Sequence, residues 1–388
     1  MMWFYSIVCY NNVLFSYIVI IFMVINKRTV VVGMSGGVDS SVTAFLLKEA
    51  GYRVIGVFMK NWIENDENGN CHSVEDFDDV RHVCQHLDIP YYTVDFSQKY
   101  WDNVFSVCLE KFNQGLTPNP DVMCNREIKF KWLFFKAKEL GADFLATGHY
   151  CRVGNKDGQS VLLKGKDPSK DQSYFLYDID PKVLSSVLFP IGELHKTETR
   201  KIAEEAGLST AKKKDSTGLC FVGKRDFREF LSRYISPEKG DIICVQTKKK
   251  LGTHNGFFLY TYGQRKGLGI GGPGDAWYVV GKDPERNEVY VIQGDGGNEL
   301  FNIGLIASRI NWLYKPALPC VCKAKIRYRV TEEVCHLTEM CDGTIQTIFN
   351  NPTKAITPGQ AVVFYDGEVC LGGGTIDRVI TQQEHLLG

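Results

Sequence analysis

Two kinds of chemistry-bearing residue stand out in this 388-residue chain: a run of glycines and serines, and two cysteines framed by proline, glycine and lysine. The run is Gly33-Met34-Ser35-Gly36-Gly37-Val38-Asp39-Ser40-Ser41, directly after the β-branched stretch Val30-Val31-Val32. Adjacent glycines let backbone N–H groups approach an anion, serine hydroxyls add donors, and a helix amino end adds a favourable dipole. A loop that serves γ-phosphoryl transfer would carry Gly-Lys-Ser/Thr, with the lysine on the β- and γ-phosphates. Here the lysine is missing and a carboxylate, Asp39, stands inside the loop. A carboxylate beside phosphates repels them unless a divalent cation bridges the two. The run therefore suits ATP bound with Mg2+ and losing its pyrophosphate, which is nucleotidyl transfer.

The first cysteine lies in Thr117-Pro118-Asn119-Pro120-Asp121-Val122-Met123-Cys124-Asn125. Its prolines read as a rigid loop. Cys124 then opens a helix expected near 126–140, where the amino-end dipole favours a thiolate. Asp121 can accept or supply a proton nearby. The second cysteine lies in Lys212-Lys213-Lys214-Asp215-Ser216-Thr217-Gly218-Leu219-Cys220-Phe221-Val222-Gly223, an electropositive setting for a thiolate. The rest of the 13 cysteines read as buried, reduced thiols; there is no Cys-x-x-Cys pair for a zinc ribbon.

The elements that must position these groups alternate. Strands are expected at 30–32, 54–58, 91–96 and 144–147. Helices are expected after the glycine run, closed by Gly51, after a capping pattern Ser73-x-x-Asp76, and over about 100–112. Such alternation means an α/β doubly wound parallel sheet, with ligands at the carboxyl ends of the strands. Beyond about Asp226 short strands and turns dominate, and Asp342-Gly343 and Asp366-Gly367 mark hairpins. A small mixed β domain over 226–298 and a C-terminal β-barrel over 299–388 are expected after a catalytic domain over 29–225.

Other features read more modestly. Lys323, Lys325, Arg327 and Arg329 alternate along an expected strand 321–330, so one face could track an RNA backbone, with a solvated barrel face as the alternative. Gly267-Leu268-Gly269-Ile270-Gly271-Gly272 lacks the strand and helix of a dinucleotide fold and reads as a glycine-rich loop. His82 and His86 read as surface residues. Lysine plus arginine equals aspartate plus glutamate at 45 each, so any nucleic-acid surface is local. Residues 1–28 form an apolar extension of membrane-spanning length, interrupted by Asn11 and Asn12. An anchor and a cryptic signal compete with translation starting near Met23; the last is preferred, which implies a cytoplasmic protein with no membrane partner.

The run Ser35–Ser40 resembles the SGGxDS signature of the PP-loop ATP pyrophosphatases. FMKNW, TPNPDVMCNREIKF, ATGHY, KDQSYFLY, FPIGELHKTETRKIAEEAGL, AKKKDSTGLCFVGKRDFREFL, GQRKGLGIGG and TPGQAVVFYDGEVCLGGG are similar, from about Thr29 onward, to the bacterial tRNA-specific 2-thiouridylases. That resemblance implies a set of roles. Gly33, Met34, Ser35, Gly36, Gly37, Val38, Asp39, Ser40, Met59 and Gly148 would hold ATP. Asn119, Pro120 and Asp121 would face the target base, with Asp121 the acid or base. Cys220 would carry a persulfide from a sulfur-donor protein, and Cys124 would release the sulfur and end in a transient disulfide with Cys220. His149, Lys170, Asp171, Gln172, Arg327, Tyr328 and Gln360 would contact tRNA, expected to be the wobble-uridine tRNAs for Lys, Glu and Gln. No resident metal ligands are assigned. Another PP-loop adenylating ligase, indifferent to both cysteines, and a non-catalytic tRNA-binding module remain the rivals.

Overall fold

The computed structural model describes residues 28–62, 72–215, 227–294 and 297–382. Its centre is β1 (Thr29–Met34), whose valines 30–32 are wholly buried. A strand buried on both faces must be covered by helices, and β-branched side chains suit it. β1 pairs in parallel with β2 (Arg53–Lys60) on one side and β4 (Phe144–Ala146) on the other. β3 (Tyr91–Asp95) extends the β2 side. The hairpin of β5 (Cys151–Lys156) and β6 (Gln159–Lys164) follows in the chain, and then β7 (Val187–Leu188) closes the β4 edge. The order β3-β2-β1-β4-β7 reverses at β1 and β4. The connections after these two strands diverge there and leave a crevice at their carboxyl ends.

Helix α1 (Val38–Glu49) starts directly after the glycine pair and ends before Gly51, whose φ of 84° needs no Cβ penalty. Helix α2 (His72–His86) is already under way at Ser73, so the expected capping pattern does not start it. Helix α3 runs over 97–113 and helix α4 over 120–139, the latter widening to a π register over Asn125–Leu133. α4 corrects the expected proline loop. Pro120 takes the first helical position, where its missing N–H costs nothing, and the Asn119 side chain caps the N–H groups of Asp121 and Val122 at 3.2 and 3.3 Å. The prolines thus begin a helix instead of preventing one. Helix α5 (Lys196–Glu205) packs on α1, and the short α6 (Phe227–Ser232) follows in the chain.

The second unit is a four-stranded sheet, β10-β11-β8-β9, of β8 (Lys239–Cys244), β9 (Lys250–Asn255), β10 (Trp277–Asp283) and β11 (Glu288–Gln293). The glycine-rich stretch 267–272 is a loop before β10, as expected. The third unit comprises β12 (Phe301–Trp312), β13 (Cys320–Lys325), β14 (Glu333–Glu339), β15 (Ile345–Lys354), β16 (Ala361–Asp366) and β17 (Val369–Ile380). Pairing of β12 with both β15 and β17 closes it into a six-stranded barrel, which removes the sheet edges. Both expected hairpin turns are present, with Gly343 at φ 79° and Gly367 at φ 59°.

Two features depart from the sequence reading. β13 stops at Lys325, so the alternating cations do not share one strand face. The β5–β6 hairpin also leaves the α/β sheet and joins the barrel sheet through Leu163 opposite Val369. The catalytic and barrel units are consequently one packed body. Val122, Met123 and Cys124 share an apolar core with Tyr174, Tyr177, Val363 and Tyr365.

Candidate active site

The loop after β1 opens into the crevice. Gly36 has φ 74°, and a Cβ there would sit 2.5 Å from the Asp76 carbonyl oxygen, so only glycine fits. The hydroxyls of Ser35 and Ser40 lie 3.2 Å apart, and the Ser40 and Ser41 hydroxyls donate to the Gly37 carbonyl at 3.1 and 2.9 Å. Gly37 caps α1 with no side chain. The first N–H groups of this helix therefore have no side-chain acceptor from the cap and point to where an anion would rest. From the loop after β4, Gly148 presses against the glycine-serine loop: a Cβ would meet the Asp39 carbonyl carbon and the Ser40 nitrogen, each at 2.8 Å. Met59 lies at the end of β2, partly buried on the adjoining core. These residues form a cradle of backbone donors that fits a nucleotide's phosphates.

The lysine missing from the loop comes from elsewhere. Lys196 Nζ donates to both Asp39 carboxylate oxygens at 2.8 Å and lies 2.9 Å from Asp215 Oδ1. The Tyr150 hydroxyl donates to Asp39 Oδ1 at 2.9 Å, and burial, with Asp39 adding to it, pushes this phenol above its usual range. Asp39 therefore carries its own counter-charge, so the carboxylate inside the loop does not by itself demand a metal. Its oxygens are taken, and no group of three or more His, Cys, Asp or Glu among the described residues could hold a metal ion. A magnesium ion that arrives on a nucleotide's phosphates and waters would need only one or two carboxylates from the protein.

Lys196 carried one signal in the sequence. It is the first residue of α5, where the dipole disfavours a cation, so a specific acceptor was needed. Asp215 is the second acceptor and also takes Lys170 at 2.8 Å and Arg200 at 2.7 Å. Burial alone would raise its carboxyl, but the hydrogen bonds from Lys170 and Lys196 outweigh that and hold it at about 2. Lys213 is spent on Asp76 and Asp79 of α2, at 2.7 and 2.5 Å. The lysine run at 212–214 is thus partly neutralised ahead of Cys220, which itself lies outside the described residues.

Cys124 closes the first turn of α4 and is 3 % exposed, not displayed on a loop. Asp121, one turn earlier, is half-buried. The barrel fixes this turn from outside: Gln360 Nε2 donates to the Thr117 carbonyl at 2.8 Å, and the Thr117 N–H donates to the Pro358 carbonyl at 3.1 Å. His149 is buried against Thr147, with Nδ1 2.7 Å from the hydroxyl, and Lys129 lies 3.4 Å from Nε2. Burial, reinforced by Lys129, pushes this imidazole well below its usual range, so it is neutral at physiological pH.

The residues expected to meet tRNA divide into exposed and interior groups. Asp171 is buried, accepting from Gly165 N and the Ser173 hydroxyl, and Gln172 accepts from the Tyr150 N–H. Arg327 is turned inward, donating to the carbonyls of Tyr262 and Ala355 and to the Thr357 hydroxyl. Chain reversal after Lys325 directs it there, so the even stripe of four cations is corrected. Lys323 and Arg329 stay exposed and, with Lys325, Tyr328, Ser169 and Thr331, line a cavity of about 420 Å³. Tyr328 packs on Phe175 with ring centroids 4.4 Å apart. His86 bonds the Ala206 carbonyl, and no helix among the described residues is long and apolar enough to cross a membrane.

Known proteins match this arrangement along its length. The tRNA methyl transferase HUP domain family matches residues 28–224, the tRNA methyl transferase PRC-barrel domain 228–293, and the aminomethyltransferase beta-barrel domain 302–376. The chain is 56% identical over 360 residues to the tRNA-specific 2-thiouridylase MnmA of Halalkalibacterium halodurans, covering 92% of this chain and 97% of that one. It is 54% identical over 363 residues to the tRNA-specific 2-thiouridylase MnmA 2 of Geobacillus kaustophilus, covering 93% and 98%. Against the tRNA-specific 2-thiouridylase MnmA of Chlamydia trachomatis the figures are 53% over 358 residues, 92% and 99%.

Proposed function

The chain belongs to the tRNA-specific 2-thiouridylase family, and on that premise we propose that it adenylates C2 of the wobble uridine with ATP and replaces the oxygen by sulfur from a Cys220 persulfide. The domain descriptions speak of methyl transfer, but near-full-length likeness to thiouridylases outweighs a description of parts. The observation that carries the chemistry is the α1 amino end, whose cap residue Gly37 has no side chain, with Gly36 before it and Lys196 bonded to Asp39 in the first turn. Backbone donors and one ammonium stabilise charge that builds on a leaving pyrophosphate.

The steps balance. The uridine O2 attacks the α-phosphorus of ATP, pyrophosphate leaves, and a poor leaving group becomes a good one. The terminal sulfur of the Cys220 persulfide attacks C2 and AMP departs. The Cys124 thiolate then attacks the inner sulfur, breaking the S–S bond so that its electrons stay on the uridine sulfur, and a Cys124–Cys220 disulfide forms. Asp121 handles the uridine proton beside Cys124. Mg2+ accompanies the nucleotide and lowers the charge on its phosphates. A thiol reductant first returns the Cys124–Cys220 disulfide to two thiols, and a persulfide-bearing donor protein then reloads Cys220. Lys170, Tyr328, Gln360 and His149 flank the tRNA, and the tRNAs for Lys, Glu and Gln are the substrates. The units 29–225, 226–298 and 299–388 serve as catalytic domain, central β domain and RNA-contacting barrel, in a cytoplasmic enzyme.

The test is nucleoside mass analysis of tRNA incubated with the chain, ATP, Mg2+ and a sulfur source. A gain of one sulfur-for-oxygen exchange that is lost in Cys220→Ser supports the reading. Pyrophosphate release with an amine acceptor and without either cysteine would point to a ligase instead.

A further inference from the structure

Asp215 lies outside any helix or strand, in the stretch that follows α5. Three cations converge on its one carboxylate. Lys170 Nζ donates to Oδ2 at 2.8 Å, Arg200 Nη2 donates to Oδ1 at 2.7 Å, and Lys196 Nζ lies 2.9 Å from that same Oδ1. Lys196 and Arg200 stand one turn apart on α5, while Lys170 comes from the loop after β6. The stretch is also anchored through its own backbone and a neighbouring lysine. Arg200 Nη1 donates to the carbonyls of Ala211 and Lys213 at 3.0 and 3.1 Å, and Lys213 Nζ reaches Asp76 and Asp79 of α2 at 2.7 and 2.5 Å. The Asp215 carboxylate is therefore held firmly enough to fix a side chain rather than follow one.

Lys196 needs such a hold. Its ammonium ends a flexible four-carbon stem. One carboxylate, Asp39, could keep it at many points around its two oxygens. A second carboxylate from another part of the chain narrows these to one place, 2.8 Å from both Asp39 oxygens and 5.6 Å from the centre of the Tyr150 ring. The base of the side chain is fixed as well, since the Lys196 N–H donates to Asp167 Oδ2 at 3.0 Å. Among the described residues, the hydrogen bonds and ion pairs of Asp215 reach the phosphate loop only through Lys196.

We infer that Asp215 is a positioning residue for nucleotidyl transfer, setting the Lys196 ammonium where charge builds on the leaving pyrophosphate. The inference rests on the thiolation reading above. Loss of the Asp215 charge leaves the ammonium near the loop, so ground-state attraction for the phosphates persists. What is lost is alignment, which counts in the transition state. The signature is a fall in kcat with little change in the KM for ATP.

The test measures tRNA-dependent pyrophosphate release by the full chain over a range of ATP concentrations. The proteins are the parent, Asp215→Asn, Lys196→Met, their double variant, Arg200→Gln with and without Lys196→Met, and Lys201→Ala as an exposed control on α5. Asp215→Asn should lower kcat about tenfold and change the KM for ATP less than about twofold. In the Lys196→Met background the same change should have no further effect, because the group it positions is gone. Arg200→Gln frees the carboxylate but keeps its charge; it should lower kcat roughly threefold, and only while Lys196 is present. Thermal melting identifies any variant that is not folded, and Arg200→Gln carries the test if Asp215→Asn is one of them. A folded Asp215→Asn with parental kcat overturns the inference, as do equal losses with and without Lys196. So does a raised KM for ATP at parental kcat, which would make Asp215 a binding group. A parent chain that releases no pyrophosphate with tRNA overturns the thiolation reading as well, and so separates the two failures.

Discussion

The Lys196 ammonium lies 2.8 Å from both carboxylate oxygens of Asp39, across 157 residues of chain. One cation thereby neutralises the carboxylate that stands inside the glycine-serine loop. It also ties that loop to Asp215, five residues ahead of Cys220 in the chain.

Replacing Lys196 by methionine leaves the Asp39 carboxylate facing the incoming phosphates uncompensated. Pyrophosphate release in the presence of tRNA should fall about 10²-fold, the usual effect of losing one charge-stabilising donor. Parental release rates in Lys196→Met would contradict the role given to this lysine.

Gly148→Ala should act on the same step by sterics. The new Cβ would sit 2.8 Å from the backbone of Asp39 and Ser40, and backbone there cannot yield without moving the start of α1. The KM for ATP should rise on the order of tenfold, in line with loss of well-placed binding contacts worth about 1.4 kcal/mol. Steady-state kinetics with saturating tRNA measure it, and an unchanged KM would count against the close approach.

The acid sensitivity of the fold should have a component from Asp215. Its folded carboxyl is held at about 2, below the ordinary value of 3.8. A depressed carboxyl stabilises the folded state above the unfolded value and loses that contribution as pH falls toward the folded one. Asp215→Asn should therefore be less stable than the parent near pH 5, with the gap closing as pH approaches 2. Denaturant midpoints at several pH values provide the check; a gap that widens in acid would refute the sign.

Asn119→Ala removes the side-chain acceptor that serves Asp121 and Val122 at the head of α4. A lost cap costs about 1 kcal/mol. Because the capped turn carries Asp121 and ends at Cys124, thiolation should drop more than stability does. Urea unfolding and a thiolation assay on the same sample separate the two, and a normal rate with reduced stability would show the turn tolerates fraying.

Lys282 in β10 has a buried amine without a hydrogen-bond partner among the described residues, and burial pushes it down to about 8. Below pH 8 the folded state holds a charged amine in an apolar site. Lys282→Met should therefore raise stability at pH 7 by on the order of 3 kcal/mol, from about 1.36 kcal/mol per unit of displacement. The advantage should shrink as pH climbs from 8 toward the unfolded lysine value, which pH-dependent melting can follow. A destabilised Lys282→Met would contradict the burial penalty assigned to this amine.

Much of the site was readable from the chain because its signals are local. A glycine pair between three buried valines and a helix start can mean only a strand, a turn and a helix amino end. Gly51, Gly343 and Gly367 mark stops and turns through their own backbone freedom. The alternation of elements settled the parallel sheet, and the quoted blocks settled the family. The proline-bearing segment misled because two prolines look the same in a loop and at a helix start; the Asn119 cap decides between them.

Only tertiary structure brought Lys196 to Asp39 and Gln360 to Thr117, since both pairs span more than a hundred residues and no local pattern encodes them. It also turned Arg327 inward, where backbone carbonyls compete successfully for a guanidinium that the alternating pattern assigns to the surface. Side-chain type sets what chemistry is possible and local spacing sets the elements. Which charges meet depends on long-range packing of the sheet, helices and barrel, and that packing is a property of the whole fold.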